Sequence, residues 1–273
     1  MLKENFLKEM IAEDIGRGDL FARVSKSRPI NAYIVAKSNG VFAGREYIDV
    51  LEKMYDIVFV WNVEDGKRFE KGEKLVRISG DAKIILSLER SILDIILHTS
   101  SIATLTAAYV DAIKDTGVKL LDTRKTRPLL RELEKYAVRC GGGLNHRMGL
   151  DDCLMLKDTH LKTIDDLPAF MEEVRKKIPF TAKVEIECED LFMAQRAMAA
   201  GADIVMCDNM TLQETAEVVR YRHAHYPYIL IEASGNVTLD TIAAIAQTGV
   251  DAISSGSIIH QANWIDLSMR VDG

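Results

Sequence analysis

The chain has 273 residues, of which 48% are hydrophobic and 28% are charged, and its formal net charge is -6 at pH 7. This composition is ordinary for a soluble globular protein with material for a substantial core. The acidic balance argues against general binding to nucleic acid or to anionic membranes, and the charged N-terminal segment lacks the apolar core of a secretory signal. We therefore expect a cytoplasmic protein.

The N-terminal part of the chain predicts a small α+β unit. Apolar residues spaced i, i+4 and i+5 predict a surface helix first, and alternating or β-rich runs predict strands around a second, short helix. The helices are predicted at 2–14 and 46–54, and the strands at 31–37, 57–63 and 74–79. A longer helical pattern covers 83–115, and its uncharged part, 95–110, is too short to span a bilayer, so we predict a buried helix.

The rest of the chain alternates between apolar strands and amphipathic helices. This rhythm is typical of a parallel barrel or a doubly wound sheet, and a barrel is favoured because polar residues end nearly every strand. The strands are predicted at 118–121, 153–156, 182–188, 204–207, 228–231 and 252–254, and the helices at 129–138, 167–177, 191–200, 211–223 and 239–248.

Acidic residues stand at the carboxyl ends of three successive predicted strands. Glu185 and Glu187 are two residues apart on one strand, so both project to the same face. Asp208 and Glu232 end the next two strands. Carboxylates at a barrel mouth can hold a metal or accept hydrogen bonds from sugar hydroxyls. The alternative is a structural ion pair with an inward lysine or arginine.

Two small-residue loops follow the last two strands. Residues 233–236 and 254–257 are rich in Ser, Gly and Asn and precede helix starts, where backbone N–H groups favour a phosphate. Loops in this part of a barrel commonly bind phosphate, although Gly and Ser also make ordinary turns. A standard P-loop and a G-x-G-x-x-G fingerprint after a strand are both absent from the sequence.

The segment from Lys119 to His160 is basic in an acidic protein. It contains nine Lys and Arg against six Asp and Glu, a balance of +3, so the remainder of the chain carries -9. Cations concentrated in loops indicate a small anionic ligand. Together with the acids and the phosphate-type loops, they fit a magnesium-bound phosphorylated sugar that meets a carboxylated second substrate.

The cysteines and most histidines have no motif around them. The four cysteines lack metal-type spacing, and we expect them to be apolar fillers in a reducing compartment. His146 stands beside Arg147 within the basic segment, where a substrate role is favoured over that of a surface histidine. His160 is left undecided.

An ordered set of motifs resembles the quinolinate phosphoribosyltransferase family, over nearly the whole chain from about Glu13 to Asp266. Two departures from the usual family pattern are Arg127 before Pro128 and Thr159 before His160. The motifs are Asp122-Thr123-Arg124-Lys125-Thr126, Glu134-Lys135-Tyr136-Ala137-Val138, Gly141-Gly142-Gly143, Asn145-His146-Arg147, Lys157-Asp158, Asp208-Asn209 and Glu232-Ala233-Ser234-Gly235.

The resemblance implies an α/β protein with an N-terminal α+β sandwich domain at 1–105 and a C-terminal (β/α) barrel with fewer than eight regular strands at 106–273. The extreme C-terminus could pack back on the first domain. The implied reaction transfers phosphoribosyl from phosphoribosyl pyrophosphate to quinolinate with decarboxylation, giving nicotinate mononucleotide, pyrophosphate and CO2 for NAD biosynthesis. Mg2+ dependence is implied, and so is a homodimer or a higher oligomer such as a hexamer, with Arg90 donated across the interface.

The resemblance also implies roles for single residues. The quinolinate carboxylates would be bound by the cationic set, Lys125 would meet the pyrophosphate or the reacting carboxylate, and two acids would hold the metal and the ribose hydroxyls. The cationic set is Arg90, Arg124, His146, Arg147 and Lys157, and the acids are Glu187 and Asp208. The 5'-phosphate would be held by Ser234, Gly235, Asn236, Ser255, Gly256, Ser257 and His260.

Two alternatives stay open at this point. A paralogous phosphoribosyltransferase on the same scaffold could act on another acidic heteroaromatic ring or be associated with molybdate transport. A barrel that only senses a phosphosugar would need the phosphate loops but not the carboxylate-binding cations.

Overall fold

The computed structural model describes residues 3–272. The ends of two predictions, Leu2 in the first helix and Gly273 in the second domain, lie outside the described residues together with Met1. The elements in chain order are α1 (Lys3–Ile15), α2 (Leu20–Val24), β1 (Pro29–Ala36), β2 (Gly40–Val41), α3 (Arg45–Met54), β3 (Ile57–Trp61), β4 (Arg68–Phe69), β5 (Lys74–Asp81), α4 (Ala82–Ile113), β6 (Lys119–Leu121), α5 (Arg131–Cys140), β7 (Leu154–Leu156), α6 (Asp158–Leu161), α7 (Leu167–Lys177), β8 (Val184–Cys188), α8 (Leu191–Ala199), β9 (Ile204–Asp208), α9 (Leu212–His225), β10 (Leu230–Ser234), α10 (Ile242–Ala246), β11 (Ala252–Ser254), α11 (Ser257–His260) and β12 (Leu267–Val271).

The chain forms two compact units. Among the described residues, unit 1 contains 3–107, 132–142 and 261–272, and unit 2 contains 108–131 and 143–260. The α/β class predicted from the sequence, with a small N-terminal domain and a barrel-type parallel sheet, is confirmed.

Unit 1 is built on an antiparallel sheet in the order β12-β1-β5-β3. Every second residue of β1 from Ala32 is buried, as expected for a strand with one face on a core. The most C-terminal strand, β12, pairs with β1 from Ala36↔Leu267 to Ala32↔Val271. Residues far apart in the sequence therefore complete one sheet.

The helix α4 is long and apolar enough to cross a membrane by length and composition, but most of that apolar stretch is buried. Its hydroxyl residues fit this position because they bond to carbonyls one turn earlier. Thr99 Oγ1 donates to the Ile95 carbonyl at 2.7 Å, and Thr104 Oγ1 to the Ser100 carbonyl at 2.6 Å. The burial and these contacts are those of a core helix.

The helix α5 clusters with unit 1, although the sequence analysis assigned it to the C-terminal domain. The Tyr136 hydroxyl donates to Asp65 and accepts the Gly44 N–H at 2.9 Å, and His98 Nε2 lies 2.9 Å from Glu134 Oε1. Tyr136 and Glu134 are buried, so these polar contacts replace water. The physical division is therefore not the single cut at residue 105 that contiguous segments would suggest.

Unit 2 is built on a parallel sheet in the order β6-β11-β10-β9-β8-β7. Asp190 and Thr211 cap α8 and α9 by accepting the N–H of Met193 and Glu214, so each helix starts directly after its strand. The predicted strand at 228–231 is displaced, because the Ile229 N–H bonds back to the Tyr226 carbonyl in a turn and β10 starts at Leu230. Glu232 consequently lies inside the strand.

Candidate active site

A cavity of about 550 Å³ opens in unit 2, where the carboxyl ends of the parallel strands meet. Asp208, Ser234 and Ser254 are the last residues of their strands and lie on its wall. The complete lining is Thr123, Arg124, Lys125, Arg131, His146, Arg147, Met155, Lys157, Glu187, Met206, Asp208, Asn209, Ser234, Gly235, Asn236 and Ser254.

The cavity wall is cationic. Five Lys and Arg side chains face two carboxylates, and the cations are Arg124, Lys125, Arg131, Arg147 and Lys157. Burial lowers the pKa of Arg124, and the neighbouring guanidinium groups of Arg147 and Arg131 lower it further. Crowding of like charges is unfavourable unless an anion joins them. The arrangement therefore fits a ligand with more than one negative charge.

Arg147 is the most enclosed of these cations, with only 7% of its surface exposed. Its guanidinium donates to the Cys153 carbonyl at 3.0 Å and contacts Met155 Sδ at 3.5 Å. These contacts leave other N–H groups of the fork for a ligand.

Asp122 is fully buried, and it binds the segment Asn145-His146-Arg147 through hydrogen bonds. Asp122 Oδ1 accepts the main-chain N–H of His146 at 2.9 Å, and Oδ2 accepts the Asn145 side-chain amide at 2.6 Å. The sequence placed Asp122 at the end of a strand among the polar rim residues. Its carboxylate orients the Asn145-His146-Arg147 motif and does not line the cavity.

His146 lies between two buried carboxylates. Its Nε2 is 3.1 Å from Glu185 Oε2 and 3.3 Å from Glu232 Oε2, and its Nδ1 accepts the Arg147 N–H at 2.7 Å. One ligand atom from each of these three side chains lies within 4.8 Å of the others.

Burial alone would lower the pKa of His146, but the two carboxylates outweigh burial and raise it to about 10. Burial also raises the pKa of Glu185, against the contact with His146. Nδ1 accepts the Arg147 N–H, so the imidazole proton that faces the two carboxylates lies on Nε2. The cluster as a whole therefore binds protons tightly.

Lys157 and Glu187 form an ion pair on the cavity wall. This is the ion pair that the sequence left open as the alternative to a ligand role for the strand carboxylates. Lys157 also precedes α6, where its main-chain N–H donates to His160 Nδ1 at 3.0 Å. His160, undecided from the sequence, therefore holds the backbone at Lys157.

Asp208 is linked to the loop after β10 through two amides. Asn209 Nδ2 donates to Asp208 Oδ2 at 2.9 Å, and Asn236 Nδ2 donates to Asn209 Oδ1 at 3.0 Å. The Asn209 main-chain N–H also donates to the Ser234 carbonyl at 2.9 Å. The acid and the predicted phosphate loop thus form one connected wall.

The second predicted phosphate loop reaches the cavity at Ser254, whereas Ser255, Gly256 and Ser257 do not line it. Ser257 Oγ donates to the Val237 carbonyl at 3.0 Å, and Ser255 Oγ contacts Ser257 Oγ, so both buried hydroxyls face the protein. Gly256 lies close to the Lys125 side chain, within about 3.1 Å of a Cβ built on the glycine. His260 is exposed, and Arg90 belongs to unit 1, where its guanidinium lies 3.4 Å from Asp94.

The cavity also includes residues that the sequence analysis did not assign a role. Arg131 begins α5, donates to the Met148 carbonyl at 2.9 Å and reaches the cavity. Asn209 had a signal, since it follows Asp208 in a family motif. Thr123 stands in a family motif, whereas Met155 and Met206 are apolar and carry no chemical signal of their own.

Comparison with known proteins places the fold and the motifs in one context. Residues 19–100 match the model of the quinolinate phosphoribosyl transferase N-terminal domain, and residues 102–270 match that of the C-terminal domain. A probable nicotinate-nucleotide pyrophosphorylase (carboxylating) of Synechocystis sp. is 39% identical over 97% of this chain and 91% of its own length. The probable enzyme of the same name from Bacillus subtilis is 38% identical over 98% and 93%.

Solved structures agree with these sequence relatives. The nicotinate-nucleotide pyrophosphorylase of Francisella tularensis superposes with a TM-score of 0.93 at 34% identity, over 99% of this chain and 96% of its own. Both units and the cavity between the strand ends of unit 2 thus fall within the matched length.

Proposed function

This chain belongs to the quinolinate phosphoribosyltransferase family, and from that premise we propose how its cavity carries the reaction. The protein transfers phosphoribosyl from phosphoribosyl pyrophosphate to quinolinate with decarboxylation, a step of NAD biosynthesis that gives nicotinate mononucleotide, pyrophosphate and CO2. The observation that carries the residue roles is the single cavity in which five cations and two strand-end carboxylates face each other.

The quinolinate end of the site is the cationic wall. Quinolinate has two adjacent carboxylates, and the guanidinium groups of Arg124 and Arg147 can each bind one in bidentate fashion. Lys157 adds a third positive charge and would exchange its contact with Glu187 for the substrate. Arg131, which the sequence did not indicate, extends the same wall.

The phosphoribosyl end lies along β8, β9 and β10. Glu187 and Asp208 would accept hydrogen bonds from the ribose hydroxyls, and the backbone and side chains of Ser234, Gly235 and Asn236 would hold the 5'-phosphate. The two carboxylates also provide hard oxygen ligands of the kind that Mg2+ prefers. Bound there, Mg2+ would neutralise charge on the pyrophosphate.

The chemistry needs little beyond positioning and charge. The ring nitrogen of quinolinate forms a bond to the anomeric carbon while pyrophosphate leaves with the bonding electrons. Glu187 and Asp208 favour the positive charge that develops on the ribose, and Lys125 neutralises the departing pyrophosphate. The ring is then cationic, so it can accept the electron pair left when the adjacent carboxylate departs as CO2, and that carbon takes up a proton.

The direct test supplies the purified protein with quinolinate, phosphoribosyl pyrophosphate and Mg2+ and measures nicotinate mononucleotide and CO2 together. Equal amounts of both products are expected. Arg124→Ala should lose turnover by at least two orders of magnitude because a bidentate carboxylate contact is removed, while phosphoribosyl pyrophosphate still binds. Arg220→Ala is the matched control, since Arg220 is exposed, pairs with Glu217 at 3.8 Å and is not among the residues that line the cavity.

The outcomes separate this function from the two alternatives. Binding of phosphoribosyl pyrophosphate without either product would favour a phosphosugar sensor. Turnover with a different acidic heteroaromatic ring, but not with quinolinate, would favour a paralogous transferase.

We further infer a homodimer, or a higher oligomer such as a hexamer, whose second subunit supplies Arg90. Arg90 is more than half exposed and has only a surface contact with Asp94, so its charge is available to a partner. Subunits carrying Arg90→Ala should be inactive alone, as should subunits carrying Asp208→Asn. Mixing and reassociating the two should restore activity to roughly a quarter of the sites in a symmetric dimer. No recovery after proven subunit exchange would place Arg90 in its own subunit's site or outside the site.

The cytoplasm is the compartment we infer, because all four cysteines are free and none is placed for a disulfide.

A further inference from the structure

Two buried carboxylates below the cavity have no part in the steps above. Glu185 is fully buried and Glu232 is 2% exposed, and neither lines the cavity. They stand on β8 and β10, on either side of β9. Burying a carboxylate is costly unless a cationic or hydrogen-bonding partner compensates. Two buried carboxylates beside an anion-binding site therefore require a partner that compensates their charge.

His146 is the group on which both carboxylates converge. Its Nε2 lies 3.1 and 3.3 Å from their oxygens and has no access to solvent. Its other nitrogen accepts the Arg147 N–H at 2.7 Å. The ring reaches the cavity wall, but both of its nitrogens face protein groups.

We propose that His146, Glu185 and Glu232 form a positioning cluster that fixes the peptide at Arg147 and so aims its guanidinium at the substrate carboxylate. The inference rests on the proposed quinolinate function and deepens it, because it reassigns His146 from a direct substrate contact to a residue that acts through its neighbour. Two rigid strands hold the imidazole ring, and the ring holds the Arg147 amide.

The surroundings of Arg147 agree with this role. The main-chain N–H of His146 is itself fixed by Asp122 at 2.9 Å, and the Arg147 guanidinium is fixed by the Cys153 carbonyl at 3.0 Å. The cluster adds the remaining constraint at the peptide between them. A small rotation of that peptide would move the far end of a long side chain by more than the tolerance of a bidentate contact.

The first experiment compares Glu232→Ala and Glu232→Gln. Removing the carboxyl group should raise the KM for quinolinate on the order of tenfold, as supporting residues of binding sites do, with the KM for phosphoribosyl pyrophosphate within about twofold of wild type. Glu232→Gln keeps an acceptor for His146 Nε2, so its KM for quinolinate should lie close to that of the wild type. Thermal unfolding of each variant separates this effect from a general loss of fold, which would lower the apparent kcat by reducing the active fraction and would leave both KM values unchanged.

The second experiment is a double-mutant cycle between His146→Ala and Arg147→Ala, read by quinolinate binding in a calorimeter. If His146 acts through Arg147, the double variant should bind quinolinate no more weakly than Arg147→Ala alone. His146→Asn supplies a milder variant that keeps an acceptor near the position of Nδ1 and should retain more binding than His146→Ala.

Additive losses in the cycle would show that His146 contacts quinolinate itself and would overturn the proposal. Inhibition of the wild type by micromolar Zn2+ that Glu185→Gln and Glu232→Gln both abolish would also overturn it, in favour of a metal site at the cluster. Wild-type protein that neither binds nor converts quinolinate would overturn the proposed function, and the positioning role with it.

Discussion

Asn209 and Asn236 show how single residues shape the phosphoribosyl end of the cavity. Both have positive φ values, 54° and 47°, a conformation that asparagine tolerates better than other residues with a side chain. In this conformation their amides link Asp208 to the loop after β10. The backbone strain is local to the wall that would bind the sugar and its phosphate, where a fixed geometry has functional value.

Gly235 is the residue in this wall that cannot carry a side chain. Its φ is +94°, and an added Cβ would lie 2.3 Å from Asn209 Oδ1 and 2.8 Å from the Asn209 backbone nitrogen. We expect Gly235→Ala to displace Asn209 and raise the KM for phosphoribosyl pyrophosphate by roughly tenfold or more. Steady-state kinetics with each substrate varied in turn measures this change.

Gly201→Ala is the control for that substitution. Gly201 has a similar φ of +85°, but no other atom lies within 4 Å of the point that an added Cβ would occupy. The control should lose about 1 kcal/mol of stability from backbone strain and keep its kinetics. Equal KM values in Gly235→Ala and the control would contradict the role given to the wall.

The cysteines illustrate a second residue-scale effect, that of burial on reactivity. Burial raises the pKa of Cys153 to about 11 and that of Cys140 and Cys207 to about 12, and it raises the pKa of Cys188 as well. At pH 8 the thiolate fraction is then at most about one in a thousand. Ellman's reagent should label the native protein slowly and all four cysteines after denaturation. Rapid labelling of a native cysteine would show that its environment is open.

The position of a charged group at the cavity was predictable where that group stands in a motif. Arg124 and Arg147 are such cases, and both line the cavity. Ser255 and Ser257 looked equally suited to phosphate, but their hydroxyls are directed toward the Val237 carbonyl. The direction of a hydroxyl group depends on tertiary neighbours that a local sequence pattern does not contain.

At the scale of elements, the amphipathic pattern of α5 predicts the helix but not its first residue or its hydrogen-bond partners. The helix starts at Arg131, two residues later than predicted, because Pro128 and the positive φ of Leu129 end the preceding turn. The pattern predicts a helix, but it cannot predict that Tyr136 bonds to Asp65 and Gly44. Those partners are what join α5 to unit 1.

Tyr136→Phe tests how much this connection stabilises the protein. The substitution removes the hydroxyl that serves Asp65 and the Gly44 N–H in a buried place, so the free energy of unfolding should fall by about 1 to 3 kcal/mol. Tyr228→Phe is the control, since Tyr228 is 79% exposed and should change stability by less than about 0.5 kcal/mol. Urea denaturation measures the free energy of unfolding of both variants. An equal loss in the two variants would show that the hydrogen bonds of Tyr136 do not stabilise the protein.

Elements with a clear apolar pattern were predicted well, whether long or short. The three-residue strand β11 was predicted at 252–254, where it lies. The helix α7 was predicted at 167–177, where it lies, since its apolar residues recur over three turns. The two-residue strands β2 and β4 have no periodicity to read. By contrast, β12 alternates apolar and polar residues from Leu267 to Val271, so its pattern contained a strand signal that the prediction did not use.

At the scale of the whole molecule, the sequence predicted two contiguous domains and allowed for the extreme C-terminus to pack back on the first. The units of the structure interleave, because α5 and residues 261–272 belong with the N-terminal part. Hydrophobic patterning reports which residues are buried, but it does not report against which part of the chain they pack. Assignment to a unit needs long-range contacts.

The dependence on Mg2+ is the prediction that concerns the whole molecule. EDTA should abolish turnover and added Mg2+ should restore it, while EDTA alone should leave the melting temperature unchanged because the proposed metal ligands, Glu187 and Asp208, line the cavity and are not part of the core. Phosphoribosyl pyrophosphate with Mg2+ at about 100 times its Kd should stabilise the protein by about 2.7 kcal/mol. A calorimetric scan detects this shift.

Asp208→Asn should lose most of that shift, and Asp240→Asn should retain it, because Asp208 lines the cavity and Asp240 is an exposed turn residue. A full shift in both variants would place the metal and the phosphosugar elsewhere.

The pairing of β12 with β1 sets the order in which the molecule can mature on the ribosome. The outer strand of the first sheet, Leu267–Val271, is synthesised only after all of unit 2. Until then one edge of β1 stays open and able to pair with another nascent chain. A released chain that lacks residues 267–273 should therefore have a second unit that resists protease and a first unit that does not.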